Sequence, residues 1–237
     1  MPSVTREPAL SVAAPAGDVR AVALVLHGGR VKSTGPVRPT QLAVLRMTPF
    51  ATSLAQAGRQ QGLAVARLRY LVRGWNGAAR SPVPDVQWAL ERLAERYDSA
   101  PVALVGHSMG GRAALYAAAH PAVRGIVGLA PWIEAGDPYE QVAGRHVLVV
   151  HGDGDRVTNP RASAAWTRQA AQVAASASYV AVQGSRHAML QRAGLWHSLT
   201  TAYLLAVLCN VPPAETDSSP AANVVTQALA GDASLVV

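Results

Sequence analysis

The segment Gly106-His107-Ser108-Met109-Gly110-Gly111 sets one serine among glycines. It directly follows the apolar run Val102 to Val105 and directly precedes an Ala-rich stretch, Met109 to Ala119. A strand that turns sharply into a helix lifts such a serine above the sheet, where a carbonyl can reach it. The flanking positions must lack bulk for the chains to approach, which accounts for Gly106 and Gly110. The helix start at Met109 brings its positive dipole end to where an oxyanion would develop. A serine hydroxyl is a poor nucleophile at neutral pH, so this chemistry requires a base and a group that orients the base.

In a strand-turn-helix site of this kind the chain order is serine, acid, histidine. Val147 to Val150 runs into His151-Gly152-Asp153-Gly154-Asp155. Asp155 is the candidate acid, because it lies in the turn beyond the strand tip. Asp153 is placed to cap or shape that turn, and Glu134 and Asp137, after the preceding strand, are the alternatives. His187, in Gly184-Ser185-Arg186-His187 after Tyr179 to Val182, is the candidate base. The other histidines receive no catalytic role. His107 is expected to point away from the site, and His27 and His151 to hydrogen-bond loop backbone. His120 falls near a helix end, His146 at a strand start and His197 inside a helical pattern. An oxyanion hole needs two donors: the backbone N–H of Met109 and one from the early loop His27-Gly28-Gly29-Arg30, for which Gly29 is the candidate. The sequence holds no metal-ligand spacing of His, Cys or carboxylates, and neither metal nor cofactor is expected.

Four motifs therefore stand in order, each at a strand end: Leu26-His27-Gly28-Gly29, Gly106-His107-Ser108-Met109-Gly110-Gly111, His151-Gly152-Asp153-Gly154-Asp155 and Ser185-Arg186-His187. Through them the sequence resembles the α/β-hydrolase family over roughly Val22 to Leu208, and most nearly its small lid-poor esterases and dienelactone-hydrolase-like enzymes. The resemblance implies a complete Ser-His-Asp triad. Position 108 is serine where true dienelactone hydrolases carry cysteine, so a dienelactone substrate is not implied.

The elements that must position these residues follow from the apolar pattern. Val22 to Leu26, Val102 to Val105, Ile126 to Leu129 and Val147 to Val150 are short, apolar on both faces and closed by Gly or Pro, as in a buried parallel sheet. Leu63 to Leu71 and Tyr179 to Val182 are further strands. Helical patterns cover Phe50 to Gln60, Asp85 to Tyr97, Met109 to Ala119, Pro160 to Val173 and Leu195 to Leu208. The alternation implies an α/β fold, a mainly parallel central sheet with helices on both faces. Only Trp132 to Arg145 separates two strands where many relatives insert a helical lid, so no cap domain is expected. Loops must cover the pocket instead, Arg30 to Thr48 and Val72 to Ser81, with Arg30, Trp75 and Trp132 as candidate substrate-binding residues. One α/β-hydrolase domain is expected over residues 1–211. From Pro212 the composition shifts to Pro, Ala, Ser, Thr and Asp, and residues 212–237 read as a tail, either loosely ordered or wrapped on the surface, in which Val224 to Leu229 can form a short helix.

Composition narrows the function classes. A lone cysteine, Cys209, excludes an intrachain disulfide, fits a reducing compartment and reads as a buried, inert thiol. Met1 to Ala14 lacks the apolar run of a signal peptide, and no stretch reaches a membrane span, so a cytoplasmic protein without a membrane partner is expected. The net charge of +7 comes from scattered arginines rather than a basic arm, so no nucleic acid is expected either. The chemistry expected is hydrolysis of a small-molecule carboxylic ester or thioester. The alternatives are an acyl transferase or cyclising thioesterase-like enzyme with the same triad, and a non-catalytic binding module on the same fold. Arg30, Lys32, Arg38 and Arg46 on one loop, with Arg73 and Arg80 on the other, have no acidic residue among them and suggest an anionic substrate.

Overall fold

The computed structural model describes residues 7–216 and 219–237. Parts of the N-terminal stretch and of the expected tail lie outside that range. The strands are β1 (Ala9–Ala13), β2 (Ala21–Leu26), β3 (Leu63–Arg69), β4 (Val102–His107), β5 (Val123–Leu129), β6 (His146–Gly152), β7 (Ser176–Val182) and β8 (Ser234–Val236). They form one sheet in the order β1-β3-β2-β4-β5-β6-β7-β8. Only β1 runs antiparallel to its neighbour. The helices are α1 (Leu42–Leu45), α2 (Thr48–Ala57), α3 (Pro82–Arg96), α4 (Met109–Ala117), α5 (Pro160–Ala170), α6 (Ala193–Cys209), α7 (Pro213–Thr216) and α8 (Pro220–Ala230).

Because successive side chains of a strand face opposite ways, β2 feeds two cores. Val22, Leu24 and Leu26 pack with Val86, Leu90 and Leu93 of α3, Ala113 of α4 and Trp166 of α5. Ala21, Ala23 and Val25 face the other layer, with Phe50 and Leu54 of α2, Trp196, Leu199 and Tyr203 of α6 and Val225 of α8. Strands covered on both sides carry no polar face, which is why β2 and β4 are buried along their whole length. Local signals place the helix starts. Proline stands in the first turn of α3, and before α5 the side chain of Asn159 accepts the N–H groups of Arg161 and Ala162.

Between β5 and β6, residues 130–145 contain a single short turn of helix at Glu140–Val142, and there is no cap domain. Two elements differ from the sequence expectation. β1 is an additional strand, a half-exposed edge strand of five residues. The stretch after residue 212 is not a loose tail. Ala221, Val225 and Ala228 of α8 are buried in the second core, Gly231 ends the helix at φ 97°, and β8 then adds to the sheet beside β7. The Pro-, Ser- and Thr-rich composition there is cap and turn chemistry: Ser219 accepts the N–H of Ala221 at the start of α8. Cys209, at the end of α6, is half-buried rather than enclosed. Among the described residues no helix is long and apolar enough to cross a membrane.

One buried carboxylate makes the fold pH-sensitive away from the site. Asp85, in the first turn of α3, accepts the N–H of Leu71 at 2.8 Å. Burial pushes its pKa up to about 6, although that hydrogen bond pulls the other way. A carboxyl raised on folding contributes fully below its unfolded pKa, and its contribution is lost as the pH rises through the folded value. The dipole end of α3 favours the ion, but by less than the burial cost. Asp85→Asn keeps an acceptor for Leu71 and removes the charge. We expect a melting temperature roughly 2–6 °C higher at pH 8 and little change at pH 4.5. Thermal melts at the two pH values check this, and a destabilised variant at pH 8 would contradict it.

Candidate active site

The serine sits at the junction of β4 and α4. Its backbone has φ 54° and ψ −117°, a region that residues with a side chain avoid. Hydrogen bonds hold it there. Its N–H donates to the carbonyl of Leu129 at 3.1 Å, and its carbonyl accepts the N–H groups of Trp132 at 3.0 Å and Arg112 at 3.1 Å. Close chain approach allows the turn. A Cβ on Gly110 would come within 2.6 Å of the Leu26 and His27 carbonyl oxygens, and one on Gly106 would overlap the backbone of Gly110. The structure therefore gives Ser108 the elbow geometry expected from the motif, with its side chain at a partly open edge.

His187 and Asp155 come together, and the His187 ring packs against His107, the residue before Ser108. Nδ1 of His187 lies 2.8 Å from Oδ2 of Asp155. A carboxylate only accepts, so Nδ1 carries the proton and Nε2 keeps its lone pair. Asp155 is fully enclosed on its side chain and has further donors. Its Oδ1 accepts the N–H groups of Val157 at 2.7 Å and Thr158 at 3.1 Å, and its Oδ2 accepts the Thr158 hydroxyl at 2.8 Å. Burial alone would push this carboxyl up; the hydrogen bonds from His151, His187, Val157 and Thr158 outweigh it and hold the group far below the usual carboxylate range. Asp153 lies outside this network. It accepts the N–H of Gly184 at 2.8 Å and shapes the loop that leads to His187.

Two histidines behave differently from the sequence expectation. His151 does not bond loop backbone: its Nε2 lies 3.1 Å from Oδ2 of Asp155 and its Nδ1 lies 2.9 Å from the Ser163 hydroxyl, with the ring wholly buried. His107 does not point away. Its ring packs against that of His187 with centroids 4.8 Å apart, and its Nε2–H donates to the His187 carbonyl at 3.0 Å. Burial, then the neighbouring charge of His187, push its pKa down to about 3, so it stays neutral. The signals that place these side chains are tertiary. Nothing in the motif says to which face of the strand tip either ring turns. His27 does bond loop backbone, its Nδ1–H donating to Gly28 at 2.7 Å, and its Nε2 accepts the N–H of Tyr70 at 3.3 Å.

Gly29 and Met109 are neighbours, since a Cβ on Gly29 would overlap the Met109 side chain. Met109 opens α4, where a backbone N–H has no partner within the helix. The candidate substrate residues divide. Trp75 is buried and Trp132 half-buried, with ring centroids 6.0 Å apart. The Arg112 guanidinium lies over both, 4.4 Å and 4.6 Å from their centroids, and is ion-paired with Asp137 and Glu134. Asp137 and Glu134 thus belong to this assembly and not to the His187 network. Trp75, Trp132, Arg112 and Glu134, together with Arg80 and Tyr116, line a depression of about 270 Å³. Arg30 is exposed and, with Gly29 and Arg73, lines a second cleft.

The solved structures that resemble the chain include a lidless α/β serine hydrolase from Xanthomonas campestris, 20% identical, covering 87% of this chain and 97% of that one with a TM-score of 0.60. An esterase from Butyrivibrio proteoclasticus is 15% identical, with 83% and 92% of the two chains covered and a TM-score of 0.62. An α/β serine hydrolase homologue from Coxiella burnetii is 19% identical, with 82% and 90% covered and a TM-score of 0.59. At these identities the likeness shows the fold. No curated protein matches the chain. The family described as PET hydrolase-like matches residues 44–207, a span that takes in Ser108, Asp155 and His187 and begins after Gly29. The chain belongs to this PET hydrolase-like family of α/β serine hydrolases.

Proposed function

We propose that the protein is a serine hydrolase that cleaves a small-molecule carboxylic ester or thioester through an acyl-enzyme on Ser108. The observations that carry this reading are the 2.8 Å bond from His187 Nδ1 to a buried, ionised Asp155, which turns Nε2 of the same ring away from the acid, and the strained elbow backbone of Ser108. Ser108 Oγ attacks the carbonyl carbon while His187 Nε2 takes its proton, and Asp155 stabilises the imidazolium that results. The N–H groups of Gly29 and Met109 receive the oxyanion. His187 then protonates the leaving group as the tetrahedral intermediate collapses to the acyl-enzyme. In the second half water attacks, His187 again takes and returns a proton, and Ser108 is released. Without a cap over the site, water has a short path to the acyl-enzyme, which favours hydrolysis over transfer.

Ser108→Ala should lower kcat for p-nitrophenyl esters by about 10³-fold or more while leaving the melting temperature nearly unchanged. Mass spectrometry after fluorophosphonate treatment should place the adduct on Ser108, and an adduct on another residue would sink the assignment.

Asp155→Asn and Asp153→Asn separate the two aspartates. Asn at 155 favours the wrong His187 tautomer, and a loss of roughly 10⁴-fold in kcat is expected by analogy with the serine proteases. Asn at 153 can still accept the Gly184 N–H and should cost less than about 10-fold. Steady-state kinetics on both variants decide the matter, and the reverse ranking would show that the acid is misassigned.

A further inference from the structure

A cleft of about 350 Å³ opens beside Gly29, between Arg30, Leu42 and Arg73. Its lining includes Arg30 and Arg73 and no carboxylate; the Arg73 Nε–H donates to the Gly35 carbonyl at 3.5 Å, and neither arginine joins an ion pair among the described residues. The charge is regional: between Asp18 and Asp85 the chain has nine arginines and one lysine and no acidic residue. The arginines also start from fixed points. The Arg30 N–H donates to the Arg73 carbonyl at 2.8 Å, Trp75 N–H to Arg30 at 2.9 Å, Arg73 N–H to Gly35 at 3.0 Å and Gly74 N–H to Ser33 at 3.0 Å. Asn76 ties the same two segments together, accepting the Ser33 N–H and donating to the Ser33 carbonyl and the Ser81 hydroxyl. Leu42, 76% exposed on the same cleft, offers an apolar wall.

Resting on the acyl-enzyme reading above, we propose that this cleft is a subsite for a carboxylate on the substrate, held by Arg30 and Arg73 while an aliphatic spacer lies against Leu42. A planar, unpaired guanidinium pair suits a carboxylate, and two fixed cations at the rim steer anions to the site. The test compares mono-p-nitrophenyl glutarate with its neutral analogue p-nitrophenyl valerate. Wild type should favour the glutarate by about 10-fold or more in kcat/KM at low salt, and less in 0.5 M NaCl. Arg30→Gln with Arg73→Gln should remove that preference, lowering kcat/KM for the glutarate about 10-fold more than for the valerate, whereas Arg161→Gln, on α5, should leave the preference as it is in wild type. Equal rates for the two esters, or equal losses for both, would overturn the subsite while leaving the acyl-enzyme reading intact. Calorimetry of glutarate binding to the Ser108→Ala protein tests the cleft without turnover. Binding unaffected by the two Arg→Gln changes, or no binding, would overturn it as well.

A separate observation concerns Asp155. His151 and His187 share one carboxylate oxygen, and the tautomer of each follows from its partners. His151 must present Nε2–H to Asp155, so its Nδ1 accepts the Ser163 hydroxyl proton. We infer that His151, locked by Ser163, is a positioning residue that fixes Asp155 and limits how strongly that carboxylate can stabilise protonated His187. Removing one donor would leave more of the carboxylate's charge facing His187. Its conjugate acid would then be more stable, and the acid limb of kcat/KM would move to higher pH. The other charged and titratable groups near this network are His107, Arg46, Asp153 and Arg186, and none of the substitutions below alters them. His151→Leu should shift the acid limb upward by about 0.5 unit and lower kcat roughly 10-fold per fluorophosphonate-titrated site, with KM nearly unchanged. His151→Gln, which keeps an N–H donor, should recover most of both, and Ser163→Ala gives the shift in a milder form if His151→Leu folds poorly. A purely structural role would lower the melting temperature and leave the limb and the per-site kcat where they are, and that result would overturn the inference.

Discussion

The backbone of Ser108 is held where a side-chain-bearing residue costs about 1–3 kcal/mol, and the rest of the site is measured from that point. Three neighbours hold it: Leu129 at the tip of β5, Trp132 just beyond it, and Arg112 one turn into α4. The turn exists because α4 lies almost on the carbonyls of β2, which leaves no room for a side chain at Gly110. That contact also brings the Gly28-Gly29 loop to Met109 and Ser108. The proposed nucleophile and the two proposed oxyanion donors are therefore positioned by one packing constraint rather than by three separate ones.

Two histidines around the site, His27 and His107, work by remaining neutral in different tautomers. His27 and His107 are buried deeply enough that protonation is disfavoured, and each serves as a directed donor to a backbone carbonyl. His107 steadies the loop of His187 from the side of the nucleophile, while Asp155 holds the ring from the opposite side. Asp155 is in turn surrounded by N–H and O–H groups and by no arginine or lysine. Hydrogen bonds alone keep it ionised in a buried place. Dipoles fixed by α5 and its preceding loop perform the task that a salt bridge performs elsewhere.

The strands that carry the motifs were legible because strands covered on both faces are written as uninterrupted apolar runs: Val102 to Val105 and Val147 to Val150 admit little else. Chain order then selected Asp155 and His187, which the fold joins by a hydrogen bond, and Ser108, which it sets on the elbow. β1 was not legible, since a short edge strand has one solvated face and leaves no such run. Nor was the packing of α8, where cap and turn residues gave a composition like that of a tail. The spacing of Ala221, Val225 and Ala228 along one helical face was nonetheless present in the sequence. His151 escaped for a different reason. It reaches Asp155 within its own strand end and turn, four residues on, while His187 comes from the loop after β7, and the direction in which the His151 ring turns is not written in the segment.

The segments around residues 30–37 and 71–76 are joined by backbone hydrogen bonds in both directions and by a single asparagine at their centre. Neither can be lengthened or replaced without losing the pairing that shapes the other. For inheritance this makes them one module. A substitution in one is read by its partner, and drift in this part of the surface must be concerted. For protein engineering it sets the size of the graft: a new rim would have to bring both segments, with Asn76, from the same donor.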